Sequence, residues 1–170
     1  MEVRPATIDD ARAIADIHVR AWRAAYRGVV PDAYLDGLEV DARAVKWRAN
    51  LERATSSTWI ASDADMVLGW MSFASSRDDD ASATTGELWA IYIDPDNWRR
   101  GVGQALWEVG ATRLRAAGFR DCTLWVLRDN PAAQAFYAAH GFVVDPGTEK
   151  VFELGGAAIA EIRMRATLHP

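Results

Sequence analysis

The segment 91–106 constrains the fold more strongly than any other part of this chain. A β-like run breaks at Pro95, and the chain then enters a helix through a turn that is both basic and glycine-bearing. The turn reads Arg99-Arg100-Gly101-Val102-Gly103. Its glycines let a ligand approach the backbone, its arginines add positive charge, and the first amides of the next helix lack intrahelical acceptors. This arrangement predicts a site for a phosphorylated cofactor.

The turn lacks features that other phosphate-binding loops need. A phosphate-binding NTPase loop closes on Gly-Lys-Ser/Thr, whereas Gln104 and Ala105 follow Gly103 here. A dinucleotide-binding fingerprint needs a third glycine where Leu106 stands. The pair Gly101-x-Gly103 alone is equally typical of an ordinary strand-to-helix turn, so the rest of the chain has to identify the cofactor.

Length and composition predict one compact cytoplasmic domain, residues 1–170. Half of the 170 residues are hydrophobic, the net charge is −5 and the isoelectric point is near 5.2, so nucleic acid is not an expected partner. No run approaches the roughly 20 apolar residues that a membrane span needs, and the N-terminus has no apolar signal core. Cys122 is the only cysteine, and His18, His140 and His169 lie far apart, so neither a disulfide nor a metal centre is expected.

Hydrophobic periodicity predicts antiparallel hairpins first and a β-α-β-α-β order afterwards. The predicted strands cover residues 3–6, 58–62, 66–74, 87–93, 122–127, 142–144, 151–154 and 159–168. The predicted helices cover a region that ends near Gly28, two pieces between 31 and 53, and the segments 101–117 and 131–140. Residues 63–65 form a predicted hairpin loop, and residues 75–85 an exposed loop. This order is typical of an α/β fold with a mixed sheet, helices on both faces and a ligand site where strand ends diverge.

Three stretches carry a family resemblance. The run Trp98-Arg99-Arg100-Gly101-Val102-Gly103 is similar to a pyrophosphate loop written Gln/Arg-x-x-Gly-x-Gly/Ala, with Trp98 where glutamine or arginine is usual. The run Asn130-Pro131-Ala132-Ala133-Gln134-Ala135-Phe136-Tyr137-Ala138-Ala139-His140-Gly141-Phe142 contains every fixed letter of Asn-x-x-Ala-x-x-Phe-Tyr-x-x-x-Gly-Phe. The N-terminal run 4–38 contains Ala21-Trp22-Arg23-Ala24-Ala25-Tyr26-Arg27-Gly28 and Pro31, similar to one bacterial branch. On these residues the chain resembles the GNAT superfamily of acyl-CoA-dependent N-acetyltransferases.

The resemblance implies a GNAT-like fold, with a central mixed sheet of about seven strands that splays near its middle. It also implies acetyl-CoA as the cofactor. The amides of Ile91 and Ile93 would hold the acetyl carbonyl and the pantetheine arm, and the amides from Arg100 to Ala105 would hold the pyrophosphate. The implied cofactor-binding set is Ile91, Tyr92, Ile93, Arg99, Arg100, Gly101, Val102, Gly103, Gln104, Ala105, Asn130, Ala133, Phe136 and Tyr137.

Two residues are candidates for proton transfer. Tyr137 aligns with the tyrosine that acts as general acid in many family members, although it can also be a packed helix aromatic. Glu87 lies fourteen positions before Gly101, which matches the base glutamate of some members, and it can equally be a solvated carboxylate at a strand start. Strand alternation would place Glu87, Trp89, Ile91 and Ile93 on one face. Asn130 would contact the pantetheine arm and also cap the helix that begins at Pro131.

The resemblance implies an N-acetyltransferase. Such an enzyme would move an acetyl group from acetyl-CoA to a primary amine of a small molecule or peptide, by direct attack in a ternary complex. The alternative is a non-catalytic acyl-CoA-binding sensor or regulatory module with the same fold. The expected acceptor-side residues are Trp22, Tyr26, Tyr34 and Trp89. A homodimer through the C-terminal β-pair is a further expectation from the family.

Overall fold

The computed structural model describes residues 1–64 and 66–169. Asp65, the last residue of the predicted hairpin loop, lies outside the described residues, as does Pro170. The strands are β1 (Glu2–Pro5), β2 (Ser57–Asp63), β3 (Met66–Ser75), β4 (Thr85–Ile93), β5 (Asp121–Leu127), β6 (Val143–Val144), β7 (Lys150–Leu154) and β8 (Ala157–Thr167). The helices are α1 (Ala11–Ala25), α2 (Asp32–Asp36), α3 (Val40–Arg53), α4 (Val102–Ala116) and α5 (Pro131–Ala139), and single 3₁₀ turns cover Ile8–Asp10 and Pro95–Asn97.

The described strands form one mixed sheet, so the predicted fold class is confirmed, with eight strands instead of about seven. Their order is β1-β2-β3-β4-β5-β8-β6, and β7 also pairs with β8. The N-terminal hairpins are antiparallel, and β4 and β5 are the parallel pair. Helix α4 connects that parallel pair, as a crossover of this kind requires.

The parallel pair opens partway along its length. Only residues 85–87 of β4 pair with residues 121–123 of β5, although β4 continues to Ile93 and β5 to Leu127. The main-chain groups of β4 beyond Glu87 therefore face a gap on this side. We call the space between the two diverging strands the splay; it lies in the middle of the sheet, where a ligand site was predicted.

A β-bulge at Trp89 changes which residues of β4 share a face. Across the β3–β4 pair, Ser72 lies opposite Ala90 and Phe73 lies opposite Leu88, so Trp89 has no partner of its own. Leu88 consequently packs into the same core cluster as Ile91 and Ile93, which an unbroken alternation would not allow.

The bulge corrects one prediction. Glu87 neighbours Leu88 in the strand and points to the other face, so it does not share a face with Ile91 and Ile93. No sequence pattern indicates this extra residue, because a bulge depends on the register of the partner strand.

Apolar side chains fill both faces of the sheet. The face that α4 covers has a core containing Met71, Phe73, Leu88, Leu106, Leu114, Leu124, Phe142 and Met164. The opposite face packs against α1 and α3 through Ile14, Ala15, Ile17, Trp47, Ile60 and Trp70. Burying each large side chain stabilises the fold by about 1.5–3 kcal/mol, so both helix layers are fixed to the sheet between them.

His18 of α1 gives the fold a dependence on pH. Its ring is buried against Trp70 and Tyr92, at centroid distances of 5.6 and 5.0 Å, and its Nε2 lies 3.1 Å from Nη1 of Arg43. Burial first, and the charge of Arg43 second, lower the pKa of His18 from 6.5 to about 3. Between those pH values the unfolded chain binds a proton that the folded chain does not. Stability should therefore fall as the pH is lowered, by roughly 1.4 kcal/mol per pH unit from this group.

Urea unfolding between pH 7 and pH 4 tests this prediction. We expect His18→Gln to remove that part of the pH dependence. The control is His169→Gln, because His169 is exposed and should leave the dependence unchanged. An identical slope in wild type and His18→Gln would contradict the assignment.

Candidate functional site

The first turn of α4 leaves a row of backbone amides without acceptors. Gly101 precedes the helix with a φ of +80°, and the first intrahelical bond runs from the amide of Ala105 to its carbonyl at 3.0 Å. Among the described residues, no acceptor takes the amides of residues 100–104. We call these five amides the cradle. The amide of Ala105 is used inside the helix, so it is not part of the cradle, and the assignment of Ala105 to the cofactor site stays a prediction.

Positive charge surrounds the cradle. Arg99 and Arg100 are exposed, and neither forms a salt bridge with any residue that the structure describes. Arg99 has a φ of 59°, a backbone conformation that costs energy in a residue other than glycine and that marks a tightly shaped turn. Free amides at a helix N-terminus together with unpaired guanidinium groups attract an anion.

Trp98 contacts the end of β4, although the family pattern has glutamine or arginine at this position. Its indole Nε1 donates a hydrogen bond to the carbonyl oxygen of Ile93 at 2.9 Å. The exposed ring thus satisfies the last main-chain acceptor of the strand and connects the cradle turn to the splay. The departure at Trp98 changes the side-chain chemistry and leaves the cradle amides free.

The main chain of β4 presents two amides to the splay. The amide of Asp94 donates to the carbonyl oxygen of Leu68 in β3 at 2.9 Å. Because main-chain direction alternates along a strand, the amides of Ile91 and Ile93 point the other way, towards the splay. The side chain of Tyr92 does not face the cradle, because its ring stacks on His18 on the α1 face of the sheet.

Helix α5 lies against the first turn of α4. The Oδ1 atom of Asn130 accepts the amide of Ala133 at 3.2 Å, which confirms Asn130 as the N-cap before Pro131. A Cβ atom at Gly103 would lie 3.1 Å from Cε2 of Phe136, so glycine allows the two helices to approach closely here. Ala133 and Phe136 also pack against the core below α4. Of the other residues that supply cradle amides, Val102 has a buried side chain, and the side chain of Gln104 is exposed and bonds Glu108.

Tyr137 presents a free phenol close to these elements. Its ring packs edge-on against Phe136 and Phe142, at centroid distances of 5.4 and 5.9 Å. Its hydroxyl makes no hydrogen bond within the described part of the chain, and the side chain is partly exposed. Burial, and then the nearby Tyr92, raise its pKa above the usual value of 10. The phenol is therefore protonated at neutral pH and is available as a donor.

Glu87 is held by its surroundings. The residue is 2% exposed, and its Oε2 accepts the backbone amide of Arg77 at 2.9 Å and the Nε of Arg77 at 3.2 Å. Its Oε1 pairs with the Nη2 of the same guanidinium. All of these bonds stabilise the carboxylate and fix the loop between β3 and β4.

That loop is largely exposed, as the sequence predicted, and it is also anchored at several points. The guanidinium of Arg77 lies over the ring of Trp89 at 4.3 Å. Asp78 accepts Trp125 Nε1 at 3.1 Å and pairs with Lys150 Nζ at 3.1 Å. These partners come from β5 and β7, so sequence-local reasoning had no means of finding them. Arg163 of β8 also pairs with Asp80 of this loop. The alternation of charged residues along β8 was the only feature of the sequence that could have indicated partners for the loop.

Three of the four predicted acceptor-side residues come together. Trp22 packs edge-on against Tyr26 at 5.0 Å and lies 6.4 Å from Tyr34. The hydroxyl of Tyr26 lies 3.4 Å from that of Tyr92. We call Trp22, Tyr26, Tyr34 and Tyr92 the aromatic wall. Trp89 is separate, beneath Arg77 on the loop side.

The described residues contain no group of three or more histidine, cysteine, aspartate or glutamate side chains that could hold a metal ion. None of the helices in residues 1–64 and 66–169 combines the length and apolar character needed to cross a membrane.

The edge of the sheet at β6 and β7 has exposed apolar side chains, Val143, Val144, Val151 and Phe152. Homodimerisation through the C-terminal β-pair, β7 and β8, stays a prediction.

Comparison with known proteins places this geometry in a family. The family model described as "Acetyltransferase (GNAT) family" matches residues 13–142. The chain is 33% identical over 161 residues to the uncharacterized N-acetyltransferase YuaI of Bacillus subtilis, covering 94% of this chain and 89% of that protein.

Solved structures share the fold. The yncA putative acetyltransferase of Salmonella typhimurium, solved with its cofactor acetyl-CoA, has a TM-score of 0.75 at 21% identity, covering 100% of this chain and 95% of that one. The paia N-acetyltransferase of Thermoplasma acidophilum, solved in complex with coenzyme A, has a TM-score of 0.75 at 18% identity, covering 98% of each chain. With most of its length matched by the family model and by a relative of similar size, this chain belongs to the GNAT family of acetyltransferases.

Proposed function

We propose that the protein transfers an acetyl group from acetyl-CoA to a primary amine by direct attack within a ternary complex. The observation that carries the proposal is the cradle, five unpaired amides with free arginines beside them, at the end of a strand that leads past an unpartnered phenol. Family membership supports the reaction class. The substrate and the mechanism are our inference from the geometry.

The residues present fit coenzyme A along its length. The cradle would hold the diphosphate, because its amides and the two arginines supply donors and positive charge. The exposed edge of β4 would hold the pantetheine arm through the amides of Ile91 and Ile93, as an added strand pairs with a sheet edge. Asn130, Ala133 and Phe136 would line the other side of the splay. Bound acetyl-CoA would supply the acetyl group as an activated thioester.

The chain would contribute proton transfer and orientation. An amide of β4 near the acetyl carbonyl would donate a hydrogen bond to the oxygen that gains negative charge. Tyr137 would donate its proton to the departing sulfur, because its phenol is protonated and free of other partners, and the proton that the attacking nitrogen loses would restore the phenol through solvent. The aromatic wall would position the amine on the α1 face. No covalent intermediate on the enzyme is required, and Cys122 is fully buried in the core.

Glu87→Gln tests the assignment of Glu87 as the base, which stays a prediction. The ion pair with Arg77 favours a structural role, so we expect the variant to lose about 1–3 kcal/mol of stability, from the bond to a charged partner. Its pH profile of amine acetylation should keep the wild-type shape. Urea unfolding and the pH dependence of kcat/KM measure the two effects. A flattened profile at unchanged stability would restore the catalytic assignment.

A panel of amines tests the function directly. The purified protein is incubated with acetyl-CoA and each amine, and the release of free thiol is followed. Release that depends on one class of amine supports the transferase. Tight binding of acetyl-CoA with no release for any amine would favour the alternative, a non-catalytic acyl-CoA sensor.

A further inference from the structure

Glu161 is a carboxylate that the reaction above does not use. It lies in β8 between Leu127 of β5 and Lys150 of β7, at a point where the sheet is paired on both sides. Its neighbour two positions earlier, Ile159, packs with Leu127 into the cluster that contains Tyr26. Residues two apart in a strand share a face, so Glu161 points to the side of the aromatic wall.

The carboxylate of Glu161 is half-buried and has no partner. It forms no hydrogen bond or salt bridge with any residue in 1–64 or 66–169. The two cations whose charge reaches it are engaged elsewhere, since Lys150 pairs with Asp78 and Arg77 pairs with Glu87. Burial raises the pKa of Glu161, and Lys150 and then Arg77 oppose that change. A half-buried carboxylate of this kind is stabilised by a cationic ligand.

Glu161 shares its face of the sheet with the aromatic wall, because its cross-strand partner Leu127 and its neighbour Ile159 pack with Trp22, Tyr26 and Tyr34. Its charge acts on the pKa of Tyr26 and of Tyr92, whose hydroxyls contact one another.

We propose that Glu161 binds a second positive charge on the acceptor, so that the substrate is a diamine or another basic amine. The reacting amine would lie beside Tyr137, and the distal ammonium group would reach Glu161 past the aromatic wall. Aromatic faces and a carboxylate are the groups that recognise an ammonium ion in proteins. This inference rests on the proposed function and adds the class of its substrate.

Steady-state kinetics with two amines of equal carbon number test the inference. Wild type should acetylate 1,4-diaminobutane with a kcat/KM about tenfold or more above that for butylamine, because only the diamine reaches Glu161. Glu161→Gln should remove this preference by raising KM for the diamine, with little change in kcat or in the values for butylamine. Glu161→Asp keeps the charge and should retain part of the preference.

Glu153→Gln is the matched control. Glu153 is exposed in β7 of the same hairpin, so its variant removes one negative charge away from the aromatic wall and should keep the diamine preference. Calorimetric titration with CoA should give the wild-type affinity for all the variants.

Three different results would overturn the Glu161 assignment, the substrate class and the proposed function. An unchanged diamine preference in Glu161→Gln, or an equal loss with both amines, would overturn the assignment of Glu161. Acetylation of other amines by wild type, but of neither probe, would overturn the substrate class and leave the transferase intact. No binding of acetyl-CoA by wild type would overturn the proposed function itself.

Discussion

Tyr137→Phe is expected to lower kcat by about a hundredfold while the affinity for CoA stays unchanged. General acids contribute roughly 10²–10⁴-fold to rates, and this variant removes only the proton that the phenol would supply. The ring packs against Phe136 and Phe142, and phenylalanine preserves those contacts. Because the hydroxyl bonds to no described residue, its removal leaves no buried group unsatisfied.

Steady-state kinetics and calorimetry with CoA separate the two parts of this expectation. Thr112→Val is a suitable comparison, since it also deletes one side-chain hydroxyl, in an exposed residue of α4 that belongs neither to the cradle nor to the aromatic wall. We expect a change of less than about threefold in its kcat, below the range typical of general acids. Equal kcat for wild type and Tyr137→Phe would reduce Tyr137 to a packing residue.

Gly101→Asp is expected to weaken CoA binding by at least about tenfold, which corresponds to about 1.4 kcal/mol. Gly101 has a φ of +80° and no atom within 4 Å of an added Cβ, and aspartate tolerates this left-handed conformation better than most residues. The new carboxylate would compete for the cradle amides and repel the diphosphate. A negative charge at a helix N-terminus is favourable for the helix, so the fold should persist.

Gly118→Asp is the matched control for this variant. Gly118 follows the other end of α4, with a φ of +90° and equally open space around an added Cβ. It receives the same substitution in the same backbone conformation, but far along the helix from the cradle. Calorimetry should give the wild-type CoA affinity for Gly118→Asp. The cradle assignment fails if both variants bind CoA equally well.

Local chemistry made part of the site predictable. A glycine turn between a strand and a helix leaves amides free wherever it occurs, so the cradle followed from residues 99–103 alone. Asn130 before Pro131 specifies a helix start, because the asparagine side chain caps a free amide and proline suits the first helical position. Tyr137 then lies about two turns into that helix. The start of α4 was predicted one residue early, at Gly101 instead of Val102. Gly101 is the N-cap, and its carbonyl accepts the first helical hydrogen bond, from the amide of Ala105.

Other features depended on contacts between distant segments. The bulge at Trp89 exists because β3 offers one residue fewer than β4, and it moved Glu87 to the opposite face from the one predicted. Arg77 holds Glu87 from an exposed loop, and composition does not indicate this contact. Tyr26 and Tyr92 meet across 66 positions of sequence.

Features whose cause lies within a few residues follow from the amino-acid order alone: the strand-to-helix turn, the helix caps, the order of strands and helices, and the family resemblance. Backbone conformation and orphan amides are properties of neighbouring residues, so they can be derived without the fold. Which carboxylates are paired and which are free depends on contacts between distant segments in the folded chain. Glu87 and Glu161 are the same residue type in similar strands. Their roles differ because the register and the loop from β3 bring a guanidinium to one and leave the other beside the aromatic wall.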